Sequence, residues 1–194
     1  MNTKLMKIVI AIIFIFGFSL LANGFYMPAK AQLAQTLISH SWDSRAADSL
    51  PSKPWFWADF YAIATLEVAA LDSKVYVMQD ASGEALAFGP GHMPLSDKPG
   101  GLGHVVIAGH RDTHFALLEQ IEINHEIVLT NYQDESIKYR VVDLSIIDVN
   151  EEEIQIEQNT DLLTLITCYP FNTLIPNGPL RLLVTAESIG TNDN

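Results

Sequence analysis

Residues 8–22 read IVIAIIFIFGFSLLA, an unbroken apolar run with no charge, and Leu5 and Met6 carry the apolar character past Lys7 toward the N-terminus. A stretch of this length sits near the lower limit, about 17 residues, of what crosses a bilayer core. Lys4 and Lys7 flank it on the N-terminal side and would hold that end in the cytoplasm, so that the rest of the chain lies outside. A retained anchor competes with a cleaved signal peptide. Ala29-Lys30-Ala31 imitates a small-residue cleavage site, but it falls several residues beyond the apolar run, and Tyr26 suits an interfacial anchor. Retention is the expectation.

Apolar positions then recur at helical spacing over 29–41, with Leu33, Leu37 and Ile38 on one face, which predicts a juxtamembrane helix. Residues 43–54 are polar and proline-bounded, a linker, and Trp55, Phe56 and Trp57 after it would dock it onto a folded domain or rest on lipid headgroups. From Tyr61 onward the pattern changes to short apolar-alternating runs between turn residues, the texture of an all-β sandwich or barrel. Strands are predicted over 64–68, 74–78, 104–108, 126–130, 137–147, 162–167 and 180–185. Short helices are predicted over 83–87 and over 113–121, the second capped by Asp112 or Thr113. The chain thus divides into an anchor (1–24), a juxtamembrane helix and linker (25–60) and a mainly β domain (61–190).

Composition narrows the function. With 23 Asp and Glu against 11 Lys and Arg, the formal net charge is −12, and no basic cluster lies beyond the membrane flank. Phosphate contacts need a cationic surface, so nucleic acid is disfavoured as a partner. The 194 residues hold a single cysteine. In an oxidising compartment a lone thiol has no partner within its own chain for a disulfide, so Cys168 is either a small buried hydrophobe or a reactive group.

Position favours reactivity. Cys168 ends the run Leu-Thr-Leu-Ile-Thr, and Pro170 after it cannot continue a ladder, so the thiol stands at a strand end with a loop beyond. Alternation puts Leu163 and Leu165 on one face and Thr164, Ile166 and Cys168 on the other. A thiolate needs a proton-transfer partner, and His110 closes the strand HVVIAG in the same way. His104 opens that strand and reads as structural, whereas His40, His92 and His125 read as surface or loop residues. Arg181 stands among the apolar residues of Pro-Leu-Arg-Leu-Leu-Val, where a guanidinium needs water or a partner; it could support a developing oxyanion or form a surface ion pair.

Three segments together, Ala108-Gly109-His110-Arg111, Thr164-Leu165-Ile166-Thr167-Cys168 and Arg181-Leu182-Leu183-Val184, resemble the sortase family of cysteine transpeptidases. The resemblance covers residues 61 to about 188 and includes the signal anchor. It is nearest to the sortases of Gram-negative proteobacteria, through segments such as Gly83-Glu84-Ala85-Leu86-Ala87-Phe88-Gly89-Pro90-Gly91-His92, His110-Arg111-Asp112-Thr113-His114-Phe115 and Cys168-Tyr169-Pro170-Phe171.

That resemblance implies an eight-stranded β-barrel with its site in a groove at strand ends, behind an N-terminal transmembrane helix. It implies a reaction without cofactor or metal, in which Cys168 cleaves an LPXTG-like sorting motif through a thioester. His110 serves as acid and base, Arg181 supports the oxyanion or the peptide, and Thr167 is a candidate substrate contact. The implied partners are a secreted protein with a C-terminal sorting motif, an amine acceptor that the resemblance leaves open, and the membrane. The implied location is the cytoplasmic membrane, single-pass, with the domain on the periplasmic side.

Two other classes remain as alternatives. A metal hydrolase could use His110 and His114, although Arg111 replaces the glutamate of the zinc protease motif. A membrane-tethered module could hold a peptide without chemistry. The run Glu151-Glu152-Glu153 reads as a solvated face, with calcium binding a minor possibility.

Overall fold

The computed structural model describes residues 3–45, 50–157, 160–173 and 178–191. The linker predicted over 43–54 falls partly outside them, at 46–49. The chain forms two compact units, Met1–Leu37 and Ile38–Asn194.

The first unit is helical. Helix α1 runs Thr3–Asp43, through both the predicted anchor and the predicted juxtamembrane helix, with Pro28 inside it. The helix continues through the residues between the two segments and through Pro28, which removes a single backbone N–H from its ladder. It is long and apolar enough to cross a membrane. Ile10, Phe14, Phe16, Phe18 and Phe25 all lie exposed on it, an arrangement that suits lipid better than water.

The second unit is a closed barrel of eight strands in the order β1-β2-β3-β4-β7-β8-β6-β5. These are β1 (Ala62–Val68), β2 (Ser73–Met78), β3 (Gly91–His92), β4 (His104–Gly109), β5 (Glu126–Asn131), β6 (Ser136–Asp148), β7 (Leu162–Cys168) and β8 (Leu180–Thr191). Closure leaves no open edge on the sheet. Most neighbours are antiparallel, but β2 and β3 meet in parallel at Met78↔Gly91, and β4 and β7 run parallel from His104↔Leu162 to Gly109↔Thr167.

Inward positions alternate along each strand, as period two requires. Val105 and Ile107 of β4, Leu163 and Leu165 of β7, and Leu182, Val184 and Ala186 of β8 fill the barrel with Leu66, Ile127, Leu129 and Tyr139. Burial pushes the Tyr139 phenol up to about 12, so it stays neutral inside this core.

A second cluster lies outside the barrel. Ile38 and Trp42, from the last turns of α1, pack with Phe60, Met78, Ala85 and Tyr132, and Trp55 and Phe88 lie against them. Trp55 meets Phe60 and Phe88 edge-on, at centroid distances of 5.3 and 5.5 Å. Trp55 is thus the aromatic that docks, while Phe56 and Trp57 stay exposed. Arg45 closes the corner with its guanidinium 3.9 Å from the Trp42 ring centre and Nε donating to the Tyr132 carbonyl at 3.1 Å.

Three local expectations are corrected. The segment after His110 is not a helix over 113–121 but a 3₁₀ stretch, Ala116–Gln120, whose cap position is Phe115 with no side-chain cap. Asp112 and Thr113 instead form the turn in which the His110 carbonyl receives the N–H groups of Thr113 and Phe115. His92 is neither surface nor loop: it is buried in β3, with Nε2 2.9 Å from the Asp97 carbonyl. Finally, β8 runs on to Thr191 because β6 pairs with it along nearly its whole length.

Candidate active site

Three adjacent strands end together. Cys168, the last residue of β7, is the register partner of Arg181 on β8. The Tyr169 N–H donates to the Leu180 carbonyl at 3.0 Å, a bond that flanks this pair and makes it a non-hydrogen-bonded one. Such pairs hold their Cα atoms about 4.5 Å apart with side chains on one face, so the thiol and the guanidinium share a face of the sheet. On the other side of β7, Gly109 is in register with Thr167, which places His110 at the next position beside Cys168, one strand spacing of about 4.8 Å away.

The face they share is the outer one. With Leu163, Leu165, Val105, Ile107 and Leu182 turned into the barrel, alternation leaves Thr164, Ile166 and Cys168 of β7 and Arg181 of β8 outside. His110 is exposed and Cys168 half-buried. Arg181 holds its place through one terminal nitrogen, which donates to the carbonyls of Gly178 at 2.6 Å and Leu180 at 2.9 Å.

Thr167 lies on the opposite face. It is buried, and its hydroxyl donates to the Gly109 carbonyl at 2.8 Å, so it ties β7 to β4 one residue before the thiol and one before the imidazole. Gly109 is needed there for space. A Cβ on it would stand 2.7 and 2.8 Å from Cδ2 and Cγ of Phe115, a ring that is wholly buried. Gly109→Ala is therefore expected to displace His110, lower stability by about 1–3 kcal/mol and slow any reaction relying on His110 by about tenfold or more. Thermal unfolding and rate measurements on the same preparation check it.

Arg111, the residue after His110, has a role that its local sequence does not show. It is buried, and its guanidinium donates to the carbonyls of Pro170 at 2.9 Å and Thr173 at 3.4 Å, with Asp112 3.4 Å from Nε. The residue after His110 thus grips the segment after Cys168. Asn172 adds a bond to Glu119 at 2.5 Å. Between these two segments and Leu144 lies a cleft of about 360 Å³ lined by Tyr169, Phe171, Leu118 and Leu182.

His114 sits half-buried in the turn after His110. Burial depresses its pKa, a hydrogen bond to the Ala87 backbone opposes this and the neighbouring His110 adds to the depression, so His114 is neutral at pH 7.

This arrangement can serve acyl transfer: a thiol at a strand end, an imidazole on the neighbouring strand end, and a cation opposite the thiol. A family model of the sortase domain matches residues 66–189. The chain belongs to the sortase family. Sortase D of Bacillus subtilis is 27% identical over 130 residues, which are 66% of this chain and 64% of that one. Among solved structures, sortase A from Corynebacterium diphtheriae is similar with a TM-score of 0.60 and 26% identity, over 86% of this chain and 87% of that chain. A Clostridium perfringens sortase D5 transpeptidase shares the fold with a TM-score of 0.58 at 21% identity, over 67% and 80% of the two chains. The likeness extends to the closed mixed barrel as a whole.

Proposed function

We propose that this sortase is a membrane-anchored cysteine transpeptidase acting on secreted proteins that carry an LPXTG-like sorting motif. Cys168 attacks the threonine carbonyl of the motif and forms a thioester. The C–N bond breaks, and His110 gives a proton to the departing amine. An incoming amine then attacks the thioester, His110 takes its proton, and the thiolate leaves. Arg181, opposite the thiol, stabilises the oxyanion or orients the peptide backbone. Thr167, with its hydroxyl committed to Gly109, is read as a residue that positions the two strand ends rather than one that touches substrate. The observation that carries this reading is the register of three neighbouring strands, which sets Cys168 between His110 and Arg181.

The division into anchor (1–24), juxtamembrane helix and linker (25–60) and catalytic barrel (61–190) belongs to the same proposal. So do a place in the cytoplasmic membrane with the barrel on the periplasmic side, and kinship with the proteobacterial branch. The apolar reach of α1 and its basic N-terminal flank support the anchor and its orientation, and the segments around Phe88, His110 and Cys168 carry the kinship.

The test is to incubate the full chain in detergent with a sorting-motif peptide and weigh the intact protein. A mass increase equal to the acyl fragment, located on Cys168 and discharged by added amine to an amide product, is the expected result. Discharge by water alone would restrict the activity to hydrolysis. No adduct with any motif peptide would overturn the proposal.

A further inference from the structure

His104 opens β4 at the end away from His110, is 3% exposed, and has no part in the chemistry proposed above. Its strand neighbours Val105 and Ile107 face the barrel core, so its ring lies on the outer face, the face of Thr164 and Cys168. Both ring nitrogens are engaged. Nε2 stands 2.8 Å from Thr164 Oγ1, and Nδ1 accepts the backbone N–H of Glu157 at 2.9 Å.

The second contact fixes the protonation state. A ring nitrogen that accepts an N–H must present its lone pair, so Nδ1 is bare and the proton is on Nε2, which donates to the Thr164 hydroxyl. An imidazolium would aim an N–H at the N–H of Glu157. The bond to Glu157 therefore exists only with the neutral ring. Glu157 belongs to the connection between β6 and β7, and the bond brings that connection over the outer face.

Neighbouring bonds keep this end of β4 in place. Asp97 Oδ2 accepts from the His104 N–H at 2.9 Å, and Asp161 Oδ1 accepts from the Gly103 N–H at 2.8 Å. Asp97, Glu157 and Asp161 share a cleft of about 760 Å³ with the exposed Leu95 and Leu102. From His104 to His110 is about 20 Å of strand at roughly 3.3 Å per residue, and an extended five-residue motif spans about 16 Å at the same rise. A peptide acylated at Cys168 and laid back along the outer face of β7 therefore reaches toward Glu157.

We propose that His104 is a positioning residue for peptide binding: its neutral Nε2–H tautomer latches the β6–β7 connection at Glu157 over the outer face of β4 and β7, and its protonation in acid releases that connection. The peptide-binding half rests on the function proposed above; the latch does not.

Burial is the main influence on His104 and lowers its pKa from the ordinary 6.5; the carboxylates of Glu157 and Asp97, the charged groups acting on it, pull upward without reversing this. The latch is thus closed at neutral pH. Below about pH 6.5 the unfolded chain takes up protons that the folded ring resists, so the stabilisation is present above that pH and declines as pH falls through the folded-state value.

The test uses the full ¹⁵N-labelled chain in detergent. Ring ¹⁵N shifts of His104 report the tautomer, and hydrogen exchange reports protection of the Glu157 amide. Expected are an Nε2–H ring at neutral pH and a loss of Glu157 protection, beyond the intrinsic pH effect, of about tenfold or more between about pH 7 and pH 5. His104→Ala abolishes protection at every pH. His104→Asn, whose side-chain oxygen accepts in place of Nδ1 without titrating, keeps it at both. With a reactive peptide, His104→Ala raises KM several-fold with kcat within about twofold. An Nδ1–H ring, unchanged protection in His104→Ala, or the same acid loss in His104→Asn would overturn the latch. An unchanged KM beside a broken latch would overturn its role in peptide binding. A chain that forms no acyl-enzyme would instead refute the transpeptidase reading, and the exchange data would still decide the latch.

Discussion

Cys168→Ala is expected to reduce acyl-enzyme formation from a sorting-motif peptide to background, a loss of about three orders of magnitude or more. The chain has no second cysteine to substitute for it. Cys168→Ser should fare little better, since a hydroxyl beside His110 and Arg181 is a far weaker acid than a thiol and supplies little nucleophile near neutral pH. Cys168 is half-buried at a strand end and outside the barrel core, so neither substitution opens a core cavity. Unfolding temperatures should stay close to the parent. His110→Gln separates the roles further, because proton transfer is worth about 10²–10⁴-fold while the thiol remains available to alkylating reagents. Intact mass after peptide treatment reads the first result and alkylation rates read the second. Undiminished peptide cleavage by Cys168→Ala would remove the thiol from the mechanism.

Much of the barrel was legible because period two is written plainly into its strands. Val105 and Ile107, like Leu163 and Leu165, alternate with residues of the other face. Strand β3 was missed since Gly91–His92 is too short to carry a pattern, and His92 was misplaced with it. The error over 113–121 has a similar origin. Asp112 and Thr113 are good capping residues, but the buried Phe115 and Leu118 hold the segment in a tighter 3₁₀ turn that needs no cap.

For the site, the sequence placed His110 after one strand and Cys168 at the end of another. It could not show that these strands are parallel neighbours, because β5 and β6 intervene in the chain and a parallel pairing leaves no local trace. The roles of Arg111, Thr167 and His104 were hidden for one reason. Each acts through a contact more than 50 residues away in sequence, at separations of 59, 58 and 53 residues, while its local context reads as an ordinary surface cation, strand threonine or strand histidine.

Arg111 carries the second large effect. Its guanidinium is buried between the His110 turn and the segment that leaves Cys168, and it is the fork of donors that lets one side chain reach both the Pro170 and the Thr173 carbonyls. Arg111→Met keeps most of the apolar stem and removes the fork, so two carbonyls lose charged donors worth about 1.5–3 kcal/mol each at most. Part of that loss should appear as stability. The part that matters for chemistry appears as geometry: with the fork gone, the segments after His110 and Cys168 lose the two bonds Arg111 makes between them and keep the exposed Asn172–Glu119 bond, and a misplacement of about 1 Å at the thiol or imidazole costs about 10²-fold in rate. The expected result is a kcat lower by about that factor with KM little changed, since the outer face toward His104 is untouched. Arg111→Lys should recover part of the stability, by supplying one cation to one carbonyl, and much less of kcat, because a point charge cannot bridge both. A purely structural role predicts that stability and kcat recover together. Steady-state kinetics and thermal unfolding of the two variants, measured side by side, separate these outcomes, and parallel recovery would assign Arg111 to folding alone.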